Sequence, residues 1–304
     1  MKILIHVRAW NKEFYCRLAN IAFENPDITT IADFRGLADV WSGDYLYDSC
    51  YDVPNEEFEK EKDDIITRCR FLRSISRQKA EELARRFWNG TEKLFQEGKY
   101  DLVLSPIADC YTMDIIERIA EKYHVEYFAL VTSFVRGYSR FTKQGELFDA
   151  KRQVTDEEID HVIGMLVNDD YKVTFSLNKE KKQFDTAKFY LRRRMVDKLY
   201  FPYKKHKEKD PWNYHYNTLS FQGGNYADYS VKNAERYYKK ISEADIQKKS
   251  VYVPLHYSPE ATVDYWCDNK KWAYYEQSVI DFIKASDPGV SFVVKEHPAM
   301  YGKR

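Results

Sequence analysis

Residues 101–131, DLVLSPIADCYTMDIIERIAEKYHVEYFALV, read as strand, helix and strand. Asp101 to Ser105 has the apolar run of a buried strand. Met113, Ile116, Ile119 and Ala120 recur at helical spacing across Thr112–Lys122, and Tyr127 to Val131 predicts a second strand. The unit takes about 31 residues, the usual length of a parallel βαβ crossover. It sets the fold class as α/β.

The same rhythm extends outward. Lys2 to Val7 predicts a strand; Phe14, Leu18, Ile21 and Ala22 lie at helical spacing; Ile28 to Ala32 predicts the next strand. Between Asn55 and Gly98 the groups Ile65, Cys69, Leu72, Ile75 and Leu83, Phe87, Leu94 predict two helices, with Gly98 as a stop. Residues 134–150 lose periodicity and read as a loop. Thr155 followed by Glu158 is a capping-box pattern that opens a helix toward Leu166. Tyr171 to Leu177 is irregular. Thr186 to Lys209 predicts a long helix broken at Pro202, with nine Lys or Arg against two acidic residues. Asp210 to Ile241 carries Pro211, Gly223 and Gly224, which places a domain connection there. From Ser250 the pattern restarts: VYVPL as a strand, Trp272 to Ala285 as a helix, Val290 to Lys295 as a strand. The expectation is two Rossmann-like domains, 1–240 and 241–304. The second is expected to be incomplete, because an open sheet normally has more than two strands.

Composition narrows the function. At 304 residues with 44% hydrophobic content the chain can bury a sizeable core. Lys plus Arg (48) equals Asp plus Glu (48), so the overall field that non-specific nucleic-acid binders use is absent and no nucleic-acid partner is expected. No run approaches the roughly 18 apolar residues of a membrane span, and MKILIHVRAW is too short in apolar length for a signal peptide. A cytoplasmic location is expected. Cys16, Cys50, Cys69, Cys110 and Cys267 have no C-x-x-C spacing and read as small core residues. His6, His124, His161, His206 and His215 lack metal-ligand spacing. Asn89-Gly90-Thr91 fits a glycosylation sequon but falls inside a predicted helix.

In open α/β sheets, ligands bind beyond the carboxyl ends of the strands. That rule selects His256, Tyr257 and Glu260 after one strand and Lys295, Glu296 and His297 after the other. A cation, two imidazoles and two carboxylates on one sheet edge suit a nucleotide phosphate and proton transfer. The plainer alternative is that His256 and His297 are hydrogen-bonded loop residues. On the first sheet the rule selects Arg8, Asp33, Ser105 with Asp109, and Ser133 with Arg136. Asp109 is a candidate general base for an acceptor hydroxyl, or else the N-cap of the next helix. Arg136, Tyr138, Arg140 and Glu146 lie where core packing does not demand them, which favours acceptor or phosphate contact.

VYVPLHYSPEATVDYW and, farther on, VVKEHPAMYGKR resemble the PLHYxPE and VKEHP pair of capsular and surface carbohydrate biosynthesis proteins. YDLVLSPIADCYTMDIIERIAEKYHVEYFAL and TSFVRGYSRFTKQGEL resemble the N-terminal half of that family. The His297-Pro298 step is also similar to the HP motif of bacterial sialyltransferases and related CMP-sugar-using enzymes. The resemblance implies a GT-B glycosyltransferase acting on a nucleotide-activated, possibly CMP-activated, sugar and a surface-glycan acceptor. By that likeness His297 would contact the donor phosphate, with Lys295 and Glu296 beside it; the resemblance assigns no role to Glu260 and His256, and their strand-end placement is read as Glu260 orienting a donor or catalytic group and His256 contributing a hydrogen bond. Arg8, Ser133, Arg136, Tyr138 and Arg140 would face the acceptor. Members of the family continue past the HP motif with a Gly-Thr and Glu-Ala segment, so this chain is expected to be truncated after Arg304 and inactive alone. No D-x-D triplet is present, so metal-independent transfer without a resident cofactor is expected. The basic segment with Arg192, Arg193, Arg194, Lys204 and Lys205 would touch the inner membrane near a lipid-linked acceptor, or form a solvated charged face. Glycerophosphate transfer to a teichoic-like polymer and a non-catalytic glycan-binding or assembly module are the alternatives.

Overall fold

The structure, a computed structural model, describes residues 1–133, 135, 137–143, 145, 152–168, 191–192, 195–217, 246, 249–257 and 260–297. The chain divides into two units, Met1–Phe58 with Glu82–Asp185, and Glu59–Glu81 with Thr186–Arg304. The boundary near 240 and the irregular Tyr171–Leu177 stretch read from the sequence lie outside the described residues.

Among the described residues, unit 1 is built on six strands: β1 (Lys2–His6), β2 (Asp27–Ala32), β3 (Val40–Trp41), β4 (Leu102–Pro106), β5 (Glu126–Thr132) and β6 (Ser139–Thr142). They form one sheet in the order β3-β2-β1-β4-β5-β6. Every neighbouring pair is parallel except β5 with β6. This mixed α/β sheet has a Rossmann-like strand order that reverses between β1 and β4. Ile3, Leu4 and Ile5 are all fully buried, as a central parallel strand covered on both faces requires. The helix α1 (Lys12–Ala22) packs Tyr15 and Ala19 on the cluster of Ile3, Ile5, Val7 and Leu104. Phe14 and Ile21, at helical spacing in the sequence, are exposed. The inward face is turned by one residue because Tyr15 offers both a ring for the core and a hydroxyl that donates to the Ser105 carbonyl at 3.2 Å.

The helix α6 (Tyr111–Lys122) buries the four expected residues and also Asp114 and Glu117, so it is covered well beyond one face. Asp114 is satisfied in part by Arg118 one turn on, at 3.0 Å. The stretch 134–150, expected as a loop, contains β6, whose Arg140 pairs with Val131. Four residues of mixed polarity at a sheet edge leave too little periodicity to read. The capping box is present at α7 (Asp156–Leu166). Arg152 and the Thr155 backbone N–H hold the Glu158 carboxyl down to about 2.

Other helices belong partly to each unit. After the short α2 (Gly43–Leu46), the helices α3 (Glu56–Arg68) and α5 (Arg77–Gly98) cross the division, with α4 (Arg70–Arg73) between them. Within unit 1, a Cβ on Gly90 of α5 would lie 2.2 Å from the Tyr45 ring, so only glycine allows this approach. Asn89 donates to the carbonyls of Tyr51 and Val53 at 2.8 and 2.9 Å, and Thr91 is buried. The sequon residues are thus committed to packing. Cys69 and Cys110 are core residues as expected, but Cys50 is exposed in a turn capped by Asp48.

In unit 2, β7 (Ser250–Pro254) and β8 (Ser291–Lys295) pair in parallel, from Ser250 opposite Ser291 to Pro254 opposite Lys295. The helix α8 (Phe201–Glu208) is entered through a π-helical turn, Val196–Tyr200. Pro202 therefore does not break the helical course: a wider turn accommodates a ring that would collide with the carbonyl four residues earlier. Between β7 and β8 run α9 (Ala261–Asp264), a 3-10 turn (Lys270–Tyr274) and α10 (Tyr275–Ala285), so the helix expected from Trp272 begins three residues later.

Three arginines tie α3 and α4 to this segment. Arg68 donates to the carbonyls of Asp264, Tyr265, Cys267 and Asp268 at 3.2, 3.4, 2.8 and 3.2 Å. These include carbonyls at the carboxyl end of α9 that lack helical partners. Arg70 and Arg73 both pair with the buried Asp264 carboxylate. Burial pushes the Asp264 carboxyl up, and the two guanidiniums pull against it.

Candidate functional site

Strand reversal between β1 and β4 creates the crevice position of unit 1. Arg8 leaves β1, and Asp109 leaves β4. Arg8 is buried, and its guanidinium donates to both Asp109 oxygens, Nη1 to Oδ2 at 2.8 Å and Nη2 to Oδ1. Burial disfavours the Arg8 cation, but attraction to Asp109 and the hydrogen bonds outweigh it, holding the guanidinium well above its ordinary pKa. The loop is fixed by Asn11, whose side chain accepts the Arg8 N–H at 2.7 Å. Exposed Trp10 lies with its ring centroid 5.4 Å from the guanidinium carbon, a cation–π contact.

Beneath this pair are buried polar groups from three strand ends. His6 Nε2 is 3.7 Å from Asp33 Oδ2, and Cys110 Sγ is 3.9 Å from the same oxygen. Burial pushes the Cys110 thiol far up, which leaves it protonated and a poor nucleophile. Cys110, not Asp109, is the N-cap residue of α6, and it makes no side-chain cap. The N-cap alternative for Asp109 therefore gives way to the ion pair. Ser133 and Tyr138 close the β5–β6 hairpin: the Ser133 N–H donates to the Tyr138 carbonyl at 3.0 Å, and Ser133 Oγ accepts from Val135 at 3.1 Å. Tyr138 is exposed and Arg140 half-buried on β6, while Arg136 and Glu146 lie outside the described residues.

In unit 2 the parallel register brings the carboxyl ends of β7 and β8 level, and the Leu255 N–H donates to the Lys295 carbonyl at 2.8 Å. His256 Nδ1 lies 3.3 Å from Glu260 Oε2, and Thr262 donates to the same oxygen at 2.9 Å. A carboxylate on Nδ1 favours the tautomer with Nε2 as acceptor. Tyr275, the first residue of α10, accepts the His256 backbone N–H at 2.8 Å. The Tyr257 and His297 rings meet edge to face at 5.6 Å, and the His297 N–H donates to Glu296 Oε1 at 3.0 Å. Lys295 and His256 are exposed.

The structure thus brings together Arg8 with Asp109, His256 with Glu260, and Tyr257 with His297. Sequence reasoning missed Trp10, Asn11, Thr262 and Tyr275. Trp10 and Asn11 carried a signal, since they follow β1 within five residues; Tyr275 carried none. Among the described residues no group of three or more His, Cys, Asp and Glu is arranged to hold a metal ion. Comparison with protein-family models, curated proteins and solved structures found no match.

Proposed function

We propose that the chain belongs to a metal-independent glycosyltransferase that takes its sugar from a nucleotide-activated donor, with a CMP-sugar the first to test, and passes it to a surface glycan. The observation that carries this reading is the level parallel register of β7 and β8, which gathers His256, Glu260, Lys295 and His297 on one sheet edge. In this reading Lys295 and His297 bind the donor phosphate and stabilise charge as it leaves. His256, oriented by Glu260, holds or moves a proton. In unit 1 Arg8 and Asp109 form a planar hydrogen-bonding pair for acceptor hydroxyls. Because both Asp109 oxygens already accept from Arg8, that role suits it better than proton abstraction.

Isothermal titration of the chain with CMP, UDP, a CMP-sugar and CDP-glycerol tests the donor assignment. Binding of a cytidine nucleotide that His297→Ala weakens about tenfold, a typical loss for one charge-assisted hydrogen bond, is expected. A folded chain that binds none of the four, or a variant that binds as wild type does, would overturn it. Tighter binding of CDP-glycerol than of the CMP-sugar would redirect the reading to glycerophosphate transfer.

A further inference from the structure

Among the described residues 191–192 and 195–209, the chain exposes apolar groups on a helical surface whose other side is already packed. Leu191, Met195, Leu199 and Tyr203 fall four residues apart and are 63, 55, 65 and 56% exposed. The packed side is occupied by Phe201, stacked on Tyr216 at 5.6 Å, by Lys205, which donates to Asn217 Oδ1 at 2.6 Å, and by Glu208, which accepts from the Tyr216 hydroxyl at 2.6 Å. The outer stripe is therefore a second apolar face, not the one that anchors the helix to its unit.

Charge surrounds that stripe. Arg192, Lys198, Lys207 and Lys209 are exposed, and Lys207 Nζ lies 5.7 Å from the Tyr203 ring centroid. Residues 186–209 hold nine basic and two acidic side chains, a net +7, whereas the whole chain sums to zero, so the remainder carries −7. The helix α7 provides a contrast: Ile159, Ile163 and Leu166 are also exposed there, but beside Asp156, Glu157, Glu158 and Asp160. Exposure is common to both helices; cationic surroundings belong to one.

We infer that the 191–209 face docks on an anionic lipid surface, with Leu191, Met195, Leu199 and Tyr203 entering the headgroup boundary and Arg192, Lys198, Lys207 and Lys209 meeting lipid phosphates. Interfacial helices combine these features: an apolar stripe for the acyl boundary, tyrosine at headgroup depth and lysine or arginine for anionic lipid. A purely electrostatic partner such as RNA would have no use for four exposed apolar side chains in line. The rest of the chain, net −7, adds no net attraction to such a surface, so the cationic segment is the part drawn to it. Among the described residues no helix is long and apolar enough to cross a membrane. The inference stands independently of glycosyl transfer.

Co-sedimentation of the whole chain with vesicles tests it, using phosphatidylcholine alone and phosphatidylcholine mixed with phosphatidylglycerol, at low and physiological salt. Binding to the anionic vesicles only, weakened by salt, is expected. Met195→Ser with Leu199→Ser, at exposed positions that folding does not need, removes it. Lys198→Gln with Lys207→Gln lowers the partition coefficient about 25-fold, from about fivefold per cation near an anionic surface. Ile163→Ser on α7 leaves it unchanged. Circular dichroism checks the fold of each variant, and the glutamine pair decides the matter if the serine pair unfolds. No binding to anionic vesicles, equal binding to phosphatidylcholine, or a glutamine pair that partitions like wild type would overturn the inference. So would a folded serine pair that still binds both vesicles and poly(U) RNA, which would make the face a simple polyanion site.

Discussion

At the carboxyl ends of β1 and β4 the polar groups are buried and locked: Arg8 has almost no solvent contact, and its guanidinium is committed to Asp109. At the carboxyl ends of β7 and β8 the groups are exposed or half-buried, and hydrogen bonds of His256 with Tyr275 and Glu260 help to hold them. One placement rule serves both, yet the means of support differ. Among the described residues, a six-stranded sheet and its core hold the site in unit 1, whereas in unit 2 a two-stranded sheet does so beside the arginine clamp around Asp264. Candidate site residues in unit 1 should therefore matter to folding, whereas those in unit 2 should matter chiefly to ligand affinity.

The largest effect is expected at the clamp. Asp264→Ala leaves Arg70 and Arg73 without their buried counter-charge, which costs about 3–5 kcal/mol for a broken buried pair. Urea unfolding measures it, and a loss under about 1 kcal/mol would mean that the clamp does not support unit 2. Asp109→Ala should cost about 2 kcal/mol, less than a fully buried pair because Asp109 is partly exposed, and its midpoint shift should report on unit 1. Tyr275→Phe removes the acceptor of the His256 N–H and should cost about 1 kcal/mol. Lys295→Ala should leave stability within about 0.5 kcal/mol of wild type while weakening the nucleotide binding proposed above. If Lys295→Ala destabilised the chain as much as Asp109→Ala, the contrast between the regions would fail.

Periodicity made the centre of the fold legible: β1, β4, α6 and β5 are long, apolar and regular enough for the pattern to identify them. The turn of α1 by one residue was hidden, because Tyr15 and Phe14 look alike to a hydrophobicity count and differ in having a hydroxyl that reaches Ser105. The association of 59–81 with the C-terminal part of the chain rests on bonds such as Arg68 to the Cys267 carbonyl, 199 positions apart. No local pattern encodes such a partner. Candidate site residues were legible where they end a strand or lie just past it, as Lys295 and His256 do. Their supports were not: Arg8 and Asp109 were both visible as strand-end residues, but their pairing depends on β1 and β4 becoming neighbours.

The antiparallel strand β6 has a consequence for how the molecule behaves in a crowd. It pairs with Ala129–Thr132, so that four of the seven residues of β5 no longer present bare amides and carbonyls to a passing strand. On the other side of the sheet, β3 covers Ile31 and Ala32 of the six-residue β2 in the same way. A second copy meeting either edge would find part of the neighbouring strand already paired, which shortens the template it could extend.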